Sequence, residues 1–273
     1  NGLDASFHPF MGFPGYKEVA HLPLAQRAAA LREPARRARI LQEKSEQLAG
    51  DGTPIPPLVD ILLARIELIS GRMFPLAADP DYEPTVRESF AARARMRGCS
   101  ALEALYDYFA EGDGGNLVYF PIFNYNDGSL DVVERMLNHP QALFGLSDAG
   151  AHVGTVCDAS CTTFMLTHWV QRRGHGRLPL QQAVEMLTAR NARYLGLRDR
   201  GLIAPGMRAD LNLIDPAALH VGVPEMVRDL PAGGKRFLQK GRGYLGTWVA
   251  GQCVRRGDDI TPARPGRLVR AGR

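Results

Sequence analysis

Within this 273-residue sequence the residues able to do chemistry crowd into Ala142 to Thr155, ALFGLSDAGAHVGT. A short apolar run stops at Ser147-Asp148 and continues through Gly150 to His152. An apolar run of this length, bounded by glycine, reads as a buried strand, and in an α/β protein the residues past such a strand's carboxyl end face the ligand crevice. An aspartate there is ionised at neutral pH, since its ordinary pKa is about 3.9, and can take a proton from an attacking water. Asp148 would equally serve as the cap of a following helix, so position alone leaves both roles open. His152, in the same glycine-containing loop, either donates to a substrate oxygen or is a structural loop histidine.

Three other groups carry the same double reading. Cys157 and Cys161, with His168 further along a helical face, match no standard zinc spacing, and small buried cysteines are common. His8, between Phe7 and Pro9, either lines a pocket mouth or packs in an aromatic turn. Asn124, Tyr125 and Asn126 follow an expected strand and are placed to contact a ligand, although Asn-Asp-Gly beside them is ordinary turn chemistry.

The elements that must position these groups are expected as follows. Asn1 to Tyr16 reads as the end of a strand turning outward, and Leu22 to about Gln47 as two helices meeting at Pro34. Asp51 to Pro57 is a loop, and Leu58 to Ile69 is ambiguous between helix and strand. Met73 to Leu76 reads as a short strand, Thr85 to Arg97 as an Arg-rich helix, and Ser100 to Glu103 as a capping box opening a helix to about Glu111. Asn116 to Phe123 is a strand ending or bulging at Pro121, Ser129 to Asn138 a helix, and Ala142 to Ser147 a strand. From Thr85 to Ser147 the order helix, helix, strand, helix, strand implies parallel strands with helical crossovers. Cys161 to Arg172 and Leu180 to Arg193 are amphipathic helices. From Gly201 the texture changes to short alternating strands parted by glycine turns, the pattern of a small antiparallel sheet. Residues 261–273 read as a loose tail.

Composition narrows the classes. A hydrophobic content of 45% suits a globular protein with a sizeable core, and no apolar run has the length of a membrane helix. Four scattered cysteines make no disulfide framework, so the expected setting is a reducing cytoplasm. The net charge of +4 is spread along helix faces with acids interleaved and without aromatic platforms, which argues against nucleic-acid binding.

The run Met186 to Pro216 resembles the closing segment of metal-dependent amidohydrolases, in which a "G-x-I-x-x-G-x-x-A-D-L" phrase leads into a small β-sandwich. Here the phrase is Gly201, Ile203, Gly206, Ala209, Asp210 and Leu211. With GLSDAGAH upstream and the GYLGTWVAGQ ending, the chain is similar to the branch holding D-aminoacylases and related N-acyl-D-amino-acid deacylases. The resemblance implies the C-terminal part of a TIM-like (β/α)8 barrel over residues 1–200, with a helical insertion over about 22–112, then β-sandwich strands over 201–260. It implies zinc-dependent hydrolysis of a C–N amide bond in a small-molecule substrate. Asp148 matches the aspartate beside the metal, as catalytic acid/base and metal ligand; His152, Ser147, Gly150 and Asn124 are the expected substrate contacts. The family's His-x-His pair and further ligands have no match among the seven histidines here, so zinc binding and activity are expected to need sequence upstream of Asn1. The family's carboxylate-holding Arg is also missing from Val156 to Thr163. An oligomer is compatible with all of this. A cyclic amidase of the same superfamily, or a non-catalytic α/β module binding a ligand or partner, are the alternatives.

Overall fold

The computed structural model describes residues 2–50, 55–145, 147 and 154–270. In chain order the elements are α1 (Pro14–Lys17), α2 (Leu24–Leu31), α3 (Pro34–Gln42), α4 (Pro57–Leu63), α5 (Ile66–Ile69), β1 (Phe74–Leu76), α6 (Phe90–Arg97), α7 (Ala101–Ala110) and β2 (Leu117–Tyr119). There follow α8 (Asp131–Leu137), α9 (Cys161–Phe164), α10 (Leu180–Leu187), α11 (Ala189–Tyr194), β3 (Leu211–Ile214), β4 (His220–Val221), β5 (Glu225–Leu230), β6 (Gly234–Leu238), β7 (Gly241–Arg242), β8 (Tyr244–Val249), β9 (Gln252–Arg256) and β10 (Asp259–Ile260). They form two compact units, one of Asn1–Leu130 with Met226–Arg236 and one of Asp131–Glu225 with Phe237–Arg273.

In the first unit the helices begin where the local chemistry says they should. Pro34 stands at the first turn of α3, where its missing N–H costs nothing, and ends the stripe begun in α2. Ser89 and Ser100 cap α6 and α7, their hydroxyls accepting from Ala92 N and Glu103 N. The expected box at Ser100 is only half made: the Glu103 carboxylate turns to Arg37 at 2.7 Å, and Glu67 accepts from Ala101 N and Leu102 N instead. The reciprocal capping box stands at Thr85 and Glu88. The core is aromatic. Phe10 lies edge-on to Tyr106 and Phe109 at 5.2 and 6.3 Å, with Phe13 beside it. Leu31, Ile40, Leu105 and Val118 close around these rings. The ambiguous run 58–69 is helical, as α4 and α5.

The parallel pairing expected of the strands is not found among the described residues: β1 pairs antiparallel with β2, Phe74 opposite Tyr119. Two helices, α6 and α7, joined through Gly98 in the left-handed region at φ 67°, stand between these strands in place of the single crossover helix of a parallel unit. The N-terminal segment is likewise turns and the short α1 rather than a strand, with Gly2 bridged to Leu117.

In the second unit residues 142–145 make no strand, and Leu143 is 42% exposed; without a neighbouring strand to pair with, an apolar run of this length stays irregular. The helix expected over 161–172 forms as α9 and continues into π-helical turns over Met165–Arg172. The helix expected over 180–193 breaks at Thr188 (φ −128°, ψ −87°) into α10 and α11. The antiparallel texture after Gly201 is present as the sheet β10-β9-β8-β3. Its β8–β9 hairpin turns at Ala250 and Gly251, both at positive φ (49° and 77°), the type I′ geometry that matches strand twist. β5 pairs with β6, and β4 with β7.

Candidate functional site

Asp148, Gly150 and His152 lie outside the described residues; the structure describes the residues on either side of them in the second unit. On the near side, Asn191 of α11 donates from Nδ2 to the Phe144 carbonyl at 2.8 Å, and Gln182 of α10 donates to Asn138 Oδ1 at 2.9 Å. Ser147 is half-buried and belongs to no strand. On the far side Gly154 is buried, and the buried Thr155 hydroxyl has no hydrogen-bond partner among the described residues. Ser160 then bonds Gln239, and the Thr163 hydroxyl meets Tyr244 Oη at 2.8 Å, fixing α9 against the C-terminal strands.

The helix that leaves this loop is pinned by Arg173, whose side chain is 1% exposed. It pairs with Asp131 and, at 2.6 Å, with Glu134, both on α8, and lies over the Trp169 ring at 4.8 Å. His175 bonds the same Asp131 at 2.9 Å, and this bond and the Arg173 guanidinium hold the Asp131 carboxyl below its ordinary range. Gly176 is required beside them: at φ 56°, an added Cβ would fall 1.8 Å from Glu134 Oε2. The element before residues 146–153 is thus tied to the element after them. Replacing Arg173 with Met should destabilise the protein by about 1–3 kcal/mol, read as a lower thermal midpoint and altered Trp169 fluorescence, because a cation–π contact and charge-assisted bonds are lost. The effect stays moderate because the abandoned carboxylates reach water, Glu134 being 28% and Asp131 55% exposed.

His168 is sandwiched rather than free to ligate: it stacks on Phe164 at 4.6 Å and meets the edge of Trp169 at 5.3 Å. Burial raises the thiol pKa of Cys157 and Cys161, with Asp158 adding to it, which makes both poor nucleophiles at neutral pH. Among the described residues no three His, Cys, Asp or Glu side chains come together to hold a metal ion. The described side chains by themselves therefore make no zinc site, and Asp148, the expected ligand, lies outside them.

Asn124 belongs to the first unit, where it is exposed and turns the chain at φ 60°. His8, in the same unit, is packed: its ring meets Tyr16 edge-on at 4.6 Å and its Nδ1 accepts from Phe10 N. Burial, then the Arg27 and Lys235 charges, push its pKa down to about 3. The unfolded chain takes up a proton at His8 near its ordinary pKa of about 6.5 and the folded chain does not, so folding stability should fall as pH drops from about 6.5 toward 3. His8→Gln should flatten this part of an acid-unfolding curve; an unchanged slope would contradict it.

Arg173 and Asn191 escape sequence reading because their partners, Glu134 and Phe144, lie 39 and 47 residues away with no local signal.

The amidohydrolase family model matches residues 5–255, and the chain belongs to that family. It is similar to an adenine deaminase of Desulfatibacillum aliphaticivorans, 44% identical over 62 residues, covering 22% of this chain and 10% of that protein. It is also similar to a 5-methylthioadenosine/S-adenosylhomocysteine deaminase of Pelotomaculum thermopropionicum, 38% identical over 87 residues, covering 28% of this chain and 20% of that protein. The chain thus spans no more than a fifth of the length of these two relatives. No solved structure matches it. No helix among the described residues is long and apolar enough to cross a membrane.

Proposed function

We propose that the protein hydrolyses the C–N amide bond of an N-acyl-D-amino acid, with Asp148 as the group that moves the proton. The observation that carries this reading is the family match across residues 5–255, together with the GLSDAGAH phrase inside it. In this mechanism the Asp148 carboxylate takes a proton from water as the water oxygen bonds to the amide carbon. The same proton then goes to the nitrogen as the C–N bond breaks, so the products are a carboxylic acid and an amine, and the acid passes its remaining proton to the amine to leave a carboxylate and an ammonium. Ser147, Gly150, His152 and Asn124 are proposed as substrate contacts. Zinc is the proposed cofactor, its ligands lying beyond the described residues, and the barrel-like architecture of the intact enzyme belongs to the same proposal. A cytoplasmic setting is supported by four unpaired cysteines.

Deamination of a purine is the second reading, favoured by the names of the two relatives. Products separate the two. Incubation of the intact enzyme, carrying the sequence upstream of Asn1, with zinc and a panel of N-acetyl-D- and N-acetyl-L-amino acids, with adenine and 5-methylthioadenosine in parallel, should release amino acid from the D series. Ammonia from the purines with the acyl amino acids untouched would overturn the deacylase reading.

A further inference from the structure

The His8 turn in the first unit gathers hydrogen-bond donors and positive charge out of proportion to the acceptors around it. Arg27 is 8% exposed and has no carboxylate partner among the described residues. Its Nη1 donates to the Leu3 carbonyl at 2.7 Å and to Tyr16 Oη at 3.2 Å, and its Nη2 to the Leu22 carbonyl at 3.0 Å. Its buried Nε–H meets no acceptor. A guanidinium carries five N–H donors, so two remain unused. His8 is 4% exposed, and because its Nδ1 accepts from Phe10 N, the proton sits on Nε2, which meets no acceptor among the described residues. Lys235 donates to the Asp4 carbonyl at 2.7 Å. The Asp4 carboxylate, which lies 3.7 Å from Lys235, is already bonded to Arg228 at 2.9 Å. Arg228 and Lys235 therefore share the one Asp4 carboxylate, and the buried Arg27 has none among the described residues. Charge buried without a counter-ion is costly, and an anion among these donors would relieve it.

We propose that His8, Arg27 and Lys235 form a binding site for a small carboxylate anion in the first unit. The guanidinium offers an Nε–H, the imidazole a neutral Nε2–H and the ammonium a second charge, a donor set suited to the two oxygens of a carboxylate. The site is independent of Asp148 and of the reaction proposed for it. The three groups gather on one turn: Arg27 and Lys235 donate to the consecutive Leu3 and Asp4 carbonyls, and the His8 ring packs on Tyr16, whose hydroxyl accepts from Arg27.

Titration of the protein with sodium acetate, against sodium chloride at equal ionic strength, tests this through the His8 ring resonances and the thermal midpoint. Acetate should shift the His8 signals saturably and raise the midpoint, whereas chloride should do neither. Lys235→Met, a half-exposed strand position, should weaken acetate binding by about tenfold and keep the fold. Arg27→Lys should weaken it further, because a lysine lacks the guanidinium fork. Absence of a saturable shift, an equal response to chloride, or unchanged affinity in Lys235→Met would each overturn the proposal. Preference for inorganic phosphate over acetate would overturn the carboxylate assignment.

Discussion

Phe109→Ala should destabilise the protein by about 3–5 kcal/mol, the cost of deleting a fully buried ring and leaving a cavity. Phe109 is 0% exposed and sits where α7 meets the N-terminal turn, 6.3 Å from Phe10 and 6.2 Å from Tyr108. Its neighbours are large and held by their own contacts: the Tyr106 hydroxyl donates to the Leu31 carbonyl at 2.8 Å, and Phe10 is locked against that same tyrosine. Little can move in to fill the space. The thermal midpoint should fall by roughly 6–20 °C, whereas Met96→Ala on exposed α6 surface should change stability by no more than about 0.5 kcal/mol. Equal effects at the two positions would mean that the aromatic cluster is not the core of its unit.

Asp148→Asn should lower kcat for C–N hydrolysis by about 10²- to 10⁴-fold, the usual worth of a positioned acid/base, while the unfolding transition stays where it was. Asparagine keeps the size of the side chain and part of its capping ability, so a merely capping Asp148 would leave turnover nearly intact and shift stability instead. Asp158→Asn serves as the control, since Asp158 is exposed just beyond the same loop. The two variants differ by ten residues in position and, on this account, by orders of magnitude in effect.

What could be read from the sequence divides along the range of the interactions involved. The helices were legible because their signals are local: Pro34 starts α3, Ser89 and Ser100 cap α6 and α7, and apolar spacing marks the faces between. The C-terminal sheet was legible for the same reason, since Ala250-Gly251 and the short alternating runs beside it specify hairpins one at a time. Strand direction was not. Whether Phe74 faces Tyr119 in a parallel or antiparallel ladder depends on how two intervening helices fold back, and nothing at either strand encodes that. The run 142–145 failed as a strand because periodicity detects apolar residues, and a strand also needs a partner. Of the candidate site, Asp148, Gly150 and His152 were legible only as a phrase, and they fall outside the described residues. The braces on that phrase, Arg173 to α8 and Asn191 to Phe144, are contacts across tens of residues, invisible until the chain is folded. His8 read correctly as an aromatic turn, while the unshared cation beside it, Arg27, did not announce itself, since one arginine among many on amphipathic helices looks like surface.

The central claim is that this member of the amidohydrolase family cleaves a C–N bond by adding water, with the carboxylate at 148 carrying the proton. Turnover of an N-acetyl-D-amino acid by the intact enzyme in water enriched in oxygen-18, with zinc supplied, tests it most directly. The account predicts one labelled oxygen in the released acetate for each amine formed, and almost no product from Asp148→Asn under the same conditions. Amine released without label in the acetate, or labelled acetate formed as fast by the Asn variant, would contradict it.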